Sequence, residues 1–270
     1  EDAYPKLNQS VSTWIKNWDF SDANTKIYTH GIHQYPAMFI PQIIRKLILE
    51  FSNKGETVLD IFSGSGTTMV ESMITGRKSI GIERNPLAIL LSKVKTTPID
   101  VDKLISTYES FLSKEIENSH INNHFNNIDI WFTEKTITGL SKLLYSINLI
   151  KNENIRNAFK ICFSDIIRYV STCKHSGFKM HRDSSKIDEI WTYEELLDEF
   201  HKSFRRFIIG MDQFDRVIKD KELFPTIIYG DSCKLHDQIG NQSVDLIITS
   251  PPYGDSRTTV AYGQFSRLSA

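Results

Sequence analysis

The feature that most constrains this chain is the run from Thr57 to Thr68, where a largely apolar stretch turns through glycines into a helix start. Thr57-Val58-Leu59-Asp60-Ile61-Phe62 reads as a strand buried on both faces, the pattern of a parallel sheet. Ser63-Gly64-Ser65-Gly66 makes a tight loop. The next helix is expected to begin at Thr67 or Thr68 on a hydroxyl cap, pass through Met69, Val70, Met73 and Ile74, and stop at Gly76. A second strand, Ser79-Ile80-Gly81-Ile82-Glu83, follows at once. Strand, helix and strand within about thirty residues form the building block of a doubly wound sheet. The expected fold class is therefore α/β with a mainly parallel sheet.

The rest of the chain is read around this unit. Residues 1–29 form a mixed lead-in segment, in which Trp14 and Trp18 lie four apart and suggest a short helix. Pro41 suits the first turn of a helix whose apolar face comprises Ile43, Ile44, Leu47, Ile48 and Phe51. Arg84-Asn85-Pro86 leads into another helix, Leu87 to about Val94. Residues 100–222 carry helix-spaced apolar positions around 104–116, 137–150, 155–169 and 193–218, and are taken as a large helical insertion. Strand character returns at 226–229, ending on Gly230-Asp231, and at 244–249, ending on Ser250-Pro251-Pro252-Tyr253. Four parallel strands are thus expected, with 30–99 and 223–270 forming one α/β unit around the insertion.

Composition excludes several classes. With 270 residues, 40% of them apolar and 24% charged, the chain can bury a substantial core. No stretch approaches the roughly 18 apolar residues of a membrane span, and a cytoplasmic location is expected. Cys162, Cys173 and Cys233 are too few and too irregularly spaced for a disulfide framework or a zinc site, so no metal is expected. A net charge of −1 means that any nucleic-acid contact must come from local patches.

Small residues where a strand becomes a helix let backbone approach a nucleotide-like ligand closely. Met69 stands where a dinucleotide fingerprint needs a third small residue, which argues against NAD or FAD. A phosphate-cradling P-loop is also absent, because no Gly-Lys-Ser/Thr follows. Glu83 lies 19 residues past Gly64 at a strand end, where a carboxylate can accept from both ribose hydroxyls. Asp231, at the end of the next strand, is suited to the adenine amine or neighbouring backbone.

VLDIFSGSGTT resembles motif I of the DNA amino-methyltransferases, GIERN motif II, YGDS motif III and TSPPY motif IV. HGIHQYPAMFIPQ resembles their motif X, whose His/Pro stretch lines the methionine end of the cofactor. The resemblance implies a Rossmann-like methyltransferase fold with S-adenosylmethionine as cofactor and DNA as substrate. It implies cofactor contacts from His33, Tyr35 and Pro36, and from Asp60, Phe62, Ser63, Gly64, Ser65, Gly66, Thr67 and Thr68. Glu83, Arg84, Asn85, Asp231 and Ser232 complete that set.

Catalysis falls to Ser250, Pro251, Pro252 and Tyr253. An exocyclic amine is a poor nucleophile because its lone pair is delocalised into the ring. Acceptors at Ser250 and the Pro251 carbonyl would draw the nitrogen toward tetrahedral geometry, and consecutive prolines hold those acceptors with no dangling N–H. Tyr253 offers an aromatic face to a flipped base. Ring-carbon methylation needs a cysteine nucleophile, usually after proline, whereas the three cysteines follow Ile161, Thr172 and Ser232. Ser250 resembles the cytosine-N4 enzymes, while Asp or Asn at that place resembles most adenine-N6 enzymes. The motif order, cofactor half first, is opposite to that of many cytosine-N4 enzymes.

The most basic stretch runs from Lys174 to Lys186, and Lys174, Lys179, Arg182 and Lys186 are candidates for phosphate contacts. Lys202, Arg205 and Arg206 lie beside Phe204 and Phe207 and read as one amphipathic helix face. A structural-RNA methyltransferase and a subunit inactive without a partner chain are the competing readings. Only 17 residues follow Tyr253, so a truncated chain or a partner completing the sheet is expected. A cognate restriction endonuclease would be a natural companion of such an enzyme.

Overall fold

The computed structural model describes residues 18–113, 127–174, 181–234 and 236–251. After a 3-10 turn at Tyr28–Gly31 come α1 (Pro41–Phe51), β1 (Thr57–Asp60), α2 (Thr67–Thr75), β2 (Lys78–Glu83) and α3 (Pro86–Lys95). Helices α4 (Val101–Leu112), α5 (Ile128–Trp131), α6 (Glu134–Asn148), α7 (Glu153–Ile167) and α8 (Tyr193–Val217) precede β3 (Thr226–Tyr229) and β4 (Leu246–Ile247).

The sheet order is β3-β2-β1-β4 and every pairing is parallel. The chain thus starts in the middle of the sheet, moves one way through β2 and β3, then returns to β1's other side for β4. Such a reversal is a topological switch point, and ligands of open α/β sheets bind at the carboxyl ends of the strands there. Here that crevice lies between the loops leaving β1 and β4. This is the expected Rossmann-like arrangement.

Several local details differ from the sequence expectation. The first strand ends at Asp60 and the fourth covers only Leu246–Ile247; beyond their carboxyl ends Phe62 N and Thr249 Oγ1 both donate to the Asp60 carboxylate. The cap of α2 is Gly66 at φ 83°, with no side-chain cap, so the expected hydroxyl cap is not formed. The Thr68 hydroxyl is engaged elsewhere. Gly66 is required there: a Cβ would meet Ser92 Oγ at 2.8 Å in a backbone region that L side chains rarely adopt. The helix does stop at Gly76, which is left-handed at φ 76°. Phe51, expected on the buried face of α1, is 56% exposed, while Ile44 and Ile48 are fully buried.

One apolar cluster joins α2 and α3 to the later helices. Val70 and Met73 of α2 and Leu87, Leu91 and Val94 of α3 belong to the same core as Phe159, Phe200, Phe204 and Phe207. At its centre Tyr108 stacks on Phe204 with ring centroids 4.3 Å apart. The helices of 101–217 therefore share a core with the α/β unit. The opposite sheet face carries Leu59, Ile80, Ile82 and Ile228, packed against Ile61, Ile239 and Val244.

The segment before α1 is clamped by both parts. Tyr28 N donates to Gln213 Oε1 at 3.1 Å, and Gly210 lets the turn approach α8, since a Cβ there would lie 2.4 Å from Tyr28 O. Fully buried Glu71 of α2 accepts from His30 Nε2 at 2.8 Å and from Arg45 Nε at 2.6 Å. Among the described residues no helix is long and apolar enough to cross a membrane.

Candidate active site

Asp60 is the organising residue of the crevice. It is 1% exposed at the end of β1. Its Oδ1 accepts from Phe62 N at 3.1 Å and Thr249 Oγ1 at 2.9 Å, and its Oδ2 from Thr68 Oγ1 at 2.7 Å. Burial raises its carboxyl above the ordinary value, against the pull of those hydrogen bonds. One buried carboxylate therefore holds three things: the loop leaving β1, the first turn of α2, and the residue just before Ser250.

The glycine loop is tied to β2 and α3. Ser63 N donates to Ile82 O at 3.1 Å, and Gly64 O accepts from Ser92 Oγ at 3.0 Å. Gly64 sits at φ 49°, and nothing lies within 4 Å of where its side chain would be. Its N–H donates to Glu83 Oε2 at 2.9 Å, while Glu83 Oε1 accepts from Arg84 N and Asn85 N, both at 2.8 Å. Three backbone donors thus gather on one carboxylate, which has room for about four. Glu83 staples the loops after β1 and β2 together.

Asn85 caps α3 through Leu87 N at 3.1 Å, and its Nδ2 donates to Tyr35 OH at 3.0 Å. The segment before α1 is thereby joined to the site. Tyr35 and Pro36 are buried, and Ala37 is held at φ 52°. His33 is 3% exposed with Nε2 3.0 Å from Ser164 Oγ on α7, and burial lowers its ring to about 4, so it is neutral. Gln34 N donates to Asp165 Oδ1 at 3.1 Å, and Asp165 also accepts from Ser203 Oγ at 2.8 Å and pairs with Arg206. Arg206 and Lys202, which pairs with Glu199 at 2.6 Å, are thus engaged locally.

At the end of β3, Asp231 Oδ1 accepts from Cys233 N at 3.1 Å, a bond that holds its carboxyl below the usual range. Arg84 approaches Asp231 Oδ2 at 3.5 Å. Ser232 Oγ donates to Ile61 O, linking this loop to the one after β1. Thr67 and Thr68 are buried, and Phe62 is half-buried. Ser250 and Pro251 are exposed at the mouth of the crevice; Pro252 and Tyr253 lie outside the described residues.

The basic stretch forms an antiparallel stem. Cys173 bridges Arg182, Lys174 N donates to His181 O at 2.8 Å, and Asp183 N donates to Thr172 O at 2.7 Å. Lys174 and Arg182 are exposed on it, and Lys179 lies outside the described residues. Lys186 is half-buried, pairs with Glu189 at 3.5 Å, and rests over the Tyr169 ring.

Sequence reading missed Thr249, Ser92 and Lys95. Lys95 ends α3 fully buried, with Nζ 3.3 Å from Ser65 Oγ. Its signal was its place on the buried stripe of Ala88, Leu91 and Ser92.

A glycine loop, a strand-end carboxylate and the exposed Ser250-Pro251 segment gather around one switch point, the place where open α/β sheets bind ligands. Residues 3–93 match the family model described as DNA methylase, that of the N6 and N4 enzymes. The chain is 36% identical to the type II methyltransferase M.MvaI of Kocuria varians over 98% of its own length and 62% of that protein's. It is 27% identical to the type II methyltransferase M.MjaII of Methanocaldococcus jannaschii, over 76% of this chain and 34% of the relative. A shorter match, 37% identical over 68 residues, is to the DNA adenine methyltransferase YhdJ of Escherichia coli, over 25% of this chain and 22% of that protein. No solved structure matches. The chain belongs to the amino-methyltransferase family of DNA methylases, and it spans less than two thirds of the length of the first two relatives.

S-adenosylmethionine is the cofactor of this family. The residues present fit it: Gly64 opens on unfilled space, and Glu83 stands beside that loop with acceptor capacity for a hydroxyl.

Proposed function

We propose that this chain is the cofactor-binding and catalytic part of a site-specific DNA methyltransferase acting on the exocyclic amine of a flipped base, cytosine N4 being favoured. The observation that carries this is the Thr68–Asp60–Thr249 bridge, through which one carboxylate supports both the cofactor loop and the residue preceding Ser250. When bound, S-adenosylmethionine supplies a methyl group on a cationic sulfur. Ser250 Oγ and the Pro251 carbonyl accept hydrogen bonds from the amine and turn its lone pair outward. The paired prolines keep both acceptors in place without competing donors. Tyr253 stacks on the extruded base, recovering part of an unstacking cost of a few kcal/mol.

Ser250 supports the preference for cytosine. Adenine N6 is the second reading, favoured by the similarity to the adenine enzyme YhdJ. Methylated DNA digested to nucleosides decides between them: N4-methylcytosine is expected, and N6-methyladenine alone would overturn the base assignment. Transfer to structural RNA in place of DNA would overturn the DNA assignment.

The helical region 100–222 supplies DNA contacts in this reading, with Lys174, Lys179, Arg182 and Lys186 on phosphates. The exposed stem supports Lys174 and Arg182 most directly. Charge reversal at Lys174 and Arg182 is expected to weaken DNA binding at low salt and lower the salt slope by about one per lost contact. Unchanged affinity would remove the stem from the interface. The likeness to type II methyltransferases supports a restriction-modification role.

A further inference from the structure

Behind the glycine loop the protein buries a lysine with no paired anion among the described residues. Lys95 is 0% exposed, and its Nζ has two neighbours, Ser65 Oγ at 3.3 Å and Met38 Sδ at 3.8 Å. Among the described residues no carboxylate pairs with it. Glu71 is taken by Arg45 and His30, and Asp165 by Arg206, Ser203 and Gln34 N. An unpaired ammonium in the interior is strongly unfavourable, and its place in the last turn of α3 offsets only a small part of that cost.

The direction of the Ser65 hydrogen bond sharpens the point. An ammonium has only protons to offer, so Ser65 Oγ must accept from it. The hydroxyl proton of Ser65 is then directed away from Lys95, and no described residue accepts it. Ser65 is 4% exposed between Gly64 and Gly66, in the loop where Gly64 opens on unfilled space, so its hydroxyl proton is left for an acceptor that a ligand would bring to that loop. S-adenosylmethionine carries one anionic group, its carboxylate, and two cationic ones, its sulfonium and its ammonium. A fixed positive charge behind the loop attracts the first and repels the others, which orients the molecule.

We infer that Ser65 and Lys95 form the carboxylate subsite for the cofactor, with Lys95 a positioning residue that acts through the Ser65 hydroxyl. The inference rests on S-adenosylmethionine being the ligand of this crevice. Burial draws the Lys95 ammonium down to about 7, so it is charged below neutrality and loses its proton as pH rises through that value, while burial also keeps neighbouring His30 and His33 below their ordinary value.

The test compares equilibrium binding of S-adenosylmethionine and its decarboxylated form, by calorimetry on the intact protein. Lys95→Met is expected to weaken S-adenosylmethionine by about tenfold or more while moving the decarboxylated ligand by less than about twofold. Ser65→Ala should reproduce that selective loss, and the double variant should lose little beyond either single one. Should Lys95→Met fail to fold, Ser65→Ala carries the same comparison. Equal weakening of both ligands by either substitution, or none, would overturn the subsite. Wild-type protein that binds neither form would overturn the cofactor assignment itself and the subsite with it.

Discussion

Replacing Lys95 by methionine should make the ligand-free protein more stable while costing it cofactor. Burial takes Lys95 from the ordinary 10.5 to about 7, so the folded state holds its proton less tightly than the unfolded chain. Stability therefore rises with pH between those two values, as the folded protein sheds a charge it cannot solvate before the unfolded chain does. At about 1.4 kcal/mol per pH unit, the full separation corresponds to about 5 kcal/mol, of which about 3 falls between pH 7 and 9.5. Methionine fills nearly the same volume without the charge, so the variant should lack this slope and exceed wild type by several kcal/mol near pH 7. Denaturant unfolding of both proteins across that range reads the difference. Tyr108, raised to about 12 by burial, and Cys162, also raised, act in the opposite sense but cancel between the two proteins. A variant less stable at pH 7 with an undiminished slope would mean that the ammonium is already neutralised in the free protein.

Asp60→Ala should reduce methyl transfer by about tenfold or more, since it orphans the Thr68 and Thr249 hydroxyls together; a single-turnover rate within twofold of wild type would refute the bridge. Tyr35→Phe removes the hydroxyl bonded to Asn85 and should lower stability by about 1 kcal/mol, with cofactor affinity falling several-fold in calorimetry. Gly66→Ala should cost at least about 1–2 kcal/mol of backbone strain, plus the contact with Ser92, read as a lower thermal midpoint. Phe204→Ala should cost about 3–5 kcal/mol by opening the aromatic core shared by α4, α7 and α8.

The order of elements was legible because their signals are local. Apolar runs bounded by glycine marked β1 and β2, helical spacing marked α1, α4 and α6 to α8, and Gly76 marked the end of α2. The crevice loops were legible for the same reason, since small residues between a strand and a helix report their own backbone demands. Boundaries at β1 and β4 were not, because those strands end where Asp60 and Thr249 turn to meet each other, a contact across 189 positions of sequence. The cap of α2 was misread because Thr68 offered a hydroxyl that a buried carboxylate claimed first.

From sequence alone came the α/β class and the parallel strands, and with them the proposal that amine chemistry falls to Ser250-Pro251-Pro252-Tyr253, all carried by residues adjacent in the chain. Only the tertiary structure decided that Asp60 supports both loops, that Glu83 gathers three backbone donors, and that Asp165 of α7 grips the segment holding His33 and Tyr35. Only it revealed that Lys95, ordinary as the last residue of a helix, lies behind the glycine loop with no counter-charge among the described residues. Burial and pairing are properties of neighbours brought from distant sequence, and a side chain's charge acquires its meaning from them.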